Sequence, residues 1–112
     1  MTLATIVLNK TDCLDDLLVA LADNDIKGAT ILESAGMAHS LGEDTALRFM
    51  ASLRLILDPD RESSRTIFTV IEDSQISLIS KIVNEVTGGL DQPDTGILFC
   101  VPVVYAEGMG KR

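Results

Sequence analysis

Aromatic side chains are nearly missing from this sequence. Among its 112 residues there is no Trp, one Tyr and three Phe. Any core must therefore be built from Ile, Leu, Val, Ala and Met. Positive charge is also scarce, with 9 Lys and Arg against 17 Asp and Glu, a formal net charge of −8 and a pI near 4.4. A surface of that sign repels nucleic-acid phosphates and anionic lipid headgroups, which argues against both as partners. It also sets a condition on any nucleotide site, which needs positive charge supplied locally. The two cysteines, Cys13 and Cys100, form no CxxC pair and have no second His or Cys nearby. They read as buried free thiols in a reducing compartment and not as a zinc site. The one histidine, His39, sits in a polar stretch beside Glu43 and Asp44 with no metal-ligand spacing, so it reads as a solvent-exposed loop residue. No apolar run reaches the length of a membrane span. Residues 1–9 have neither the basic start nor the cleavage site of a signal peptide, and the expected location is cytoplasmic.

What the chain has in quantity is aliphatic side chains. Hydrophobic residues make up 46% of it, and the mean hydropathy is positive, +0.29. A single domain of this length buries roughly two-thirds of the surface of its unfolded chain. Such a composition fits an aliphatic-rich core or apolar surface buried between subunits, and the second reading has the slight advantage.

The order of the elements can be read from hydrophobic periodicity. Residues 3–8 (LATIVL) form a short β-branched strand. Thr11 and Asp12 offer N-cap oxygens, and Leu14, Leu17, Leu18 and Leu21 follow as the stripe of an amphipathic helix that ends near Asp23 and Asn24. Residues 26–35 (IKGATILESA) read as a second strand, with Gly28 as a bulge or close contact and Gly36 ending it. Residues 45–57 look helical, although 53–57 alternate enough to leave a strand open. Residues 58–65 (DPDRESSR) are a turn or loop by composition. Residues 66–71 (TIFTVI) form a strand. Ser74 is the expected cap of a second helix with Ile76, Ile79, Ile82, Val83 and Val86 on its buried stripe, and Gly88 and Gly89 stop it. Pro93 marks a turn over residues 91–95. Residues 96–105 (GILFCVPVVY) form the last strand, where Pro102 argues for an edge position or a bulge. The tail from Ala106 reads as frayed.

Apart from the segment at 45–57, this order is β-α-β-β-α-β. It predicts an α+β, ferredoxin-like domain over residues 1–112: an antiparallel sheet with two helices on one face, and an extra short helix in the loop after the second strand. The other face would stay uncovered and apolar, which predicts a homo-oligomer.

Residues 25–38 (DIKGATILESAGMA) resemble the P-II signalling proteins, in which Ile, Gly, Thr and Glu lead through a second Gly into a long loop. Residues 14–26 (LDDLLVALADNDI) are similar to the first helix of that family. Residues 64–89, closing on Thr87-Gly88-Gly89, resemble its third strand and second helix, and residues 96–103 its last core strand. The resemblance implies a homotrimer that binds a small ligand, with ATP or ADP the candidates, in clefts between subunits. It also implies regulation of a partner protein, in the field of nitrogen regulation. Carried over by position, Thr30 would lie near the ribose or base and Gly36 at the base of the long loop. Gly88, Gly89 and Gly96 would form the phosphate-side loop. Residues 36–65 would be the partner-docking loop, in which Arg48 and Arg54 either meet an anionic ligand or partner or are ordinary polar-face residues.

Where P-II proteins carry a Lys beside the phosphate loop and Arg residues past the last strand, this chain has Thr95-Gly96-Ile97 and Val103-Val104-Tyr105-Ala106. None of these is basic, and the family's modification-site Tyr is missing from the long loop. The alternative is therefore an oligomeric scaffold of the same fold that has lost nucleotide binding. An enzyme is the weakest reading. Glu33 and Glu72 sit at strand ends without a positioned nucleophile, and Cys100 lies in an apolar strand without the positive charge that activates a thiol.

Overall fold

The computed structural model describes residues 1–36 and 63–108. Its elements are strand β1 (Thr2–Leu8), helix α1 (Leu14–Asp23), strand β2 (Thr30–Ser34), strand β3 (Ser64–Ile71), helix α2 (Ile76–Thr87) and strand β4 (Gly96–Pro102). The four strands make one sheet in the order β2-β3-β1-β4, and every neighbouring pair is antiparallel. The protein is α+β, with a four-stranded antiparallel sheet and two helices, compatible with a ferredoxin-like arrangement. The expected helix at 45–57 and its strand alternative lie outside the described residues.

Period-2 alternation in β1 and β3 decides which side of the sheet is covered. Ala4, Ile6 and Leu8 of β1 and Ile67 and Ile71 of β3 join Leu17 and Leu21 of α1 and Ile79, Ile82 and Val83 of α2 in one buried cluster. Both helices therefore lie over the same face. On α1, Leu17 and Leu21 carry the burial while Leu14 and Leu18 are half-buried. On α2, Ile76 of the expected stripe is instead exposed, because it sits in the first turn. Cys13 and Cys100 are half-buried free thiols rather than fully buried ones.

Helix ends show where local chemistry shifted the expected boundaries. Beyond α1, the Ile26 N–H donates to the Leu21 carbonyl at 2.9 Å and the Asp25 N–H to the Ala22 carbonyl at 3.1 Å. That bond pair, with Asp25 left-handed at φ 63°, is a Schellman motif. It draws Ile26 into the core, 5% exposed, and so residues 26–29 do not join the sheet. The second strand is Thr30–Ser34, shorter than the 26–35 read from the sequence. Before α2, Ser74 is not the cap. Residues Asp73–Gln75 form a 3₁₀ turn, and Gln75 Oε1 accepts the Glu72 N–H at 2.9 Å, a reciprocal-box geometry that satisfies a helix-start donor. The last strand stops at Pro102, three residues short of the expected Tyr105. Pro102 does lie on an edge strand, as its missing N–H requires.

Candidate functional site

Two regions carry the chemistry that the sequence singled out. The first is the glycine loop between α2 and β4. Gly88 is left-handed at φ 88° and ends α2, its N–H donating to the Asn84 carbonyl at 3.1 Å. The Gly89 N–H donates to Thr87 Oγ1 at 3.3 Å, and the Leu90 N–H to Asn84 Oδ1 at 2.8 Å. The Gln92 N–H donates to the Gly89 carbonyl at 3.2 Å. A phosphate cradle presents unpaired N–H groups to the anion; here these four are bonded within the loop. Asn84, which sequence reasoning passed over, organises it. Its side-chain N–H also donates to the Ser80 carbonyl at 2.9 Å.

Residues 95–97 and 103–106 carry no positive charge, but the fold brings a cation to the loop from elsewhere in the chain. Lys10, at the end of β1, donates from Nζ to the Thr87 carbonyl at 3.1 Å. A cation there matches the negative end of the α2 dipole and satisfies a terminal carbonyl. The Asn9 and Lys10 N–H groups share the Thr95 carbonyl at 3.0 and 3.1 Å, which fastens the far end of the loop to the same segment. These contacts span more than 70 positions of sequence, too far for any local pattern to predict them.

Gly96 has a packing role. A Cβ built on it would lie 2.4 Å from the Val7 carbonyl oxygen, so only glycine lets β4 start this close to β1. A Cβ on Gly89 would meet Asp91 Oδ1 at 2.5 Å, while one on Gly88 would meet nothing within 4 Å.

The second region is the sheet face that the helices leave open. Paired residues share a face, so the register places Thr30, Phe68, Thr5 and Phe99 in one row across it. Leu32, Thr66, Val7 and Ile97 form the row on one side, and Val70, Leu3 and Val101 the row on the other. At one end the row closes with Ser34 opposite Ser64, whose hydroxyls lie 2.8 Å apart, and Thr66 Oγ1 donates to Ser34 Oγ at 2.8 Å. No position in these rows is charged, in a protein of which 23% of the residues are charged. Toward the β4 edge the side chains stand open, with Ile97 57% and Phe99 45% exposed. The acidic residues lie elsewhere: Asp12, Asp15 and Asp16 at the start of α1, Glu72 and Asp73 before α2, and Asp91 and Asp94 on the glycine loop.

Thr30 is exposed on the edge strand β2, whereas Gly96 starts β4 on the opposite edge. With β3 and β1 between them they are at least roughly 14 Å apart at ordinary strand spacing. One chain does not bring them together. Gly36 follows β2 and is half-buried. Arg48, Arg54 and His39 lie outside the described residues. Glu33 pairs with Arg65, Oε1 to Nη2 at 3.6 Å, and Glu72 serves the turn before α2.

At the other end of β1 from the glycine loop, Thr2 Oγ1 donates to Asp73 Oδ1 at 2.5 Å. The Met1 amino group lies 3.4 Å from the same oxygen. The hydroxyl first, and then the ammonium by hydrogen bond and charge, hold the Asp73 carboxyl below its ordinary pKa. Among the described residues no group of three or more His, Cys, Asp or Glu could hold a metal ion, and no helix is long and apolar enough to cross a membrane.

Compared with known proteins, the chain matches no family model and no curated sequence.

Proposed function

We propose that this protein is a P-II-like regulatory protein of ferredoxin-like fold, acting by binding and not by catalysis. It assembles as a homotrimer in the cytoplasm through the open sheet face. Clefts between neighbouring subunits hold a small ligand, ATP or ADP first among the candidates, and residues 36–65 dock onto a regulated protein partner. Nitrogen metabolism is the field that the family resemblance suggests. One observation carries this reading: a largely apolar face whose paired rows hold no charged position, in a protein of net charge −8. Burying one large apolar side chain on such a face contributes roughly 1.5–3 kcal/mol. Among the described residues, carboxylates cluster instead at the start of α1, before α2 and on the glycine loop. The separation of Thr30 from Gly96 within one chain also favours a ligand site shared between chains.

The closed glycine loop favours a second reading, an oligomeric scaffold of P-II fold that has lost nucleotide binding. The N–H groups of residues 88, 89, 90 and 92 are occupied, and the one cation beside them among the described residues, Lys10, caps a carbonyl. Calorimetric titration with MgATP separates the two. Saturable binding near one nucleotide per subunit, abolished by Gly88→Asp with the trimer intact, supports the regulatory reading. A flat titration into the millimolar range leaves the scaffold. Thermal stability gives the same answer independently, since a ligand at 100 times its Kd adds about 2.7 kcal/mol.

A further inference from the structure

Past Pro102 the chain does not leave the sheet at once. The Val103 N–H donates to the Met1 carbonyl at 3.1 Å, which extends the β4–β1 ladder by one residue. Val104 and Tyr105 follow with almost no cover, 97% and 71% exposed, the two most exposed large apolar side chains of the described residues. The Tyr105 hydroxyl donates to the Glu107 carboxylate two positions on, which holds the ring without burying it. Two bare apolar side chains thus directly follow a strand end that is tied to the sheet through Val103.

We infer that Val104 and Tyr105 form a hook that seats against a second copy of this chain at the end of the open face. The inference rests on the homo-oligomer proposed above and adds the residues that lock it. The occupant follows from charge. Val103, Val104 and Tyr105 are uncharged and directly follow β4, whose open-face residues Ile97, Phe99 and Val101 are uncharged too, with the Glu107 carboxylate held at the tyrosine's polar tip. Acidic residues stand instead at the start of α1 and before α2. The surface that matches the hook is therefore the open face of another copy. An aromatic ring with an apolar body and a polar tip is also the side chain most often found anchoring interfaces.

Tyr105 is the only Tyr and there is no Trp, so tyrosine emission reports this one ring. The test combines sedimentation equilibrium of the full chain with acrylamide quenching of that emission. Wild type is compared with Val104→Asp, Tyr105→Ser and, as the monomeric reference, Phe99→Asp. Quenching of the wild-type assembly is expected to be several-fold weaker than that of the Phe99→Asp monomer. Val104→Asp and Tyr105→Ser are each expected to raise the dissociation constant at least about tenfold. Far-UV circular dichroism should stay unchanged, because neither side chain is in the core. An assembly whose Tyr105 is quenched as readily as in the monomer, and whose dissociation constant ignores Val104→Asp, overturns the hook and leaves the oligomer standing. A wild-type protein that sediments as one chain at every concentration overturns both.

Discussion

Lys10 Nζ holds the carbonyl of Thr87 at 3.1 Å, joining the end of β1 to the end of α2 across 77 positions of sequence. The bond fixes the mouth of the glycine loop from outside, while Asn84 and Thr87 fix it from within. Removing the ammonium in Lys10→Met leaves a helix-terminal carbonyl to water. It should lower stability by about 0.5–1.5 kcal/mol, read as a lower urea midpoint with an unchanged slope.

Asp25 occupies the left-handed position of the Schellman motif that ends α1, at φ 63°, where glycine carries no steric cost. Asp25→Gly should raise stability by about 0.5–1 kcal/mol even though the unfolded chain gains freedom. The ion pair lost with it, Lys27 to Asp25 at 3.8 Å, lies on the surface and contributes little. Urea unfolding of the two proteins measures the difference directly.

The two glycines that the sequence grouped as one loop should respond differently to alanine. At Gly88 the added Cβ meets open space and only the left-handed backbone resists it, a cost of about 1 kcal/mol. At Gly96 the Cβ would collide with the Val7 carbonyl, and the strand pair must shift. Gly96→Ala should cost about 2 kcal/mol or more. Equal losses in thermal melts of the two variants would contradict the strand-contact role of Gly96.

Asp73 gives the protein an acid-sensitive contact between β1 and the start of α2. Its folded pKa lies below the ordinary value of 3.8, so the unfolded state binds its proton first as pH falls. The stabilisation is fully present above that ordinary value and is lost as pH drops through the depressed one. The melting difference between wild type and Asp73→Asn should therefore be constant near neutrality and shrink below about pH 3.8. A difference that instead grows on acidification contradicts the assignment.

The sheet and helices were legible because their signals are local. LATIVL and TIFTVI carry period-2 and β-branched patterns, and Leu17, Leu21, Ile79, Ile82 and Val83 recur at helical spacing. Pro102 pointed to an edge position or a bulge, and the edge is what β4 occupies; the uncovered face followed from counting helices against strands. Contacts made through tertiary structure or through capping were hidden. Ile26 looked like strand because its β-branched side chain precedes one, yet it serves the helix before it. Ser74 looked like a cap because serine often is one, while the Glu72 and Gln75 pair takes that place. Lys10 could not be placed beside Gly88 without the fold. The resemblance to P-II proteins pointed to Gly88, Gly89 and Gly96 as the phosphate-side loop; the helix stop at Gly88 was legible beside that reading, while the close approach of Gly96 to Val7 was not.

The most direct test of the homo-oligomer is sedimentation equilibrium on the wild-type chain and on Phe99→Asp, which puts a carboxylate on the open face at its β4 edge. The account predicts a wild-type mass three times the 12.0 kDa of one chain, and a single-chain mass for Phe99→Asp with its secondary structure intact. A wild-type protein that stays a single chain across the concentration range would contradict it.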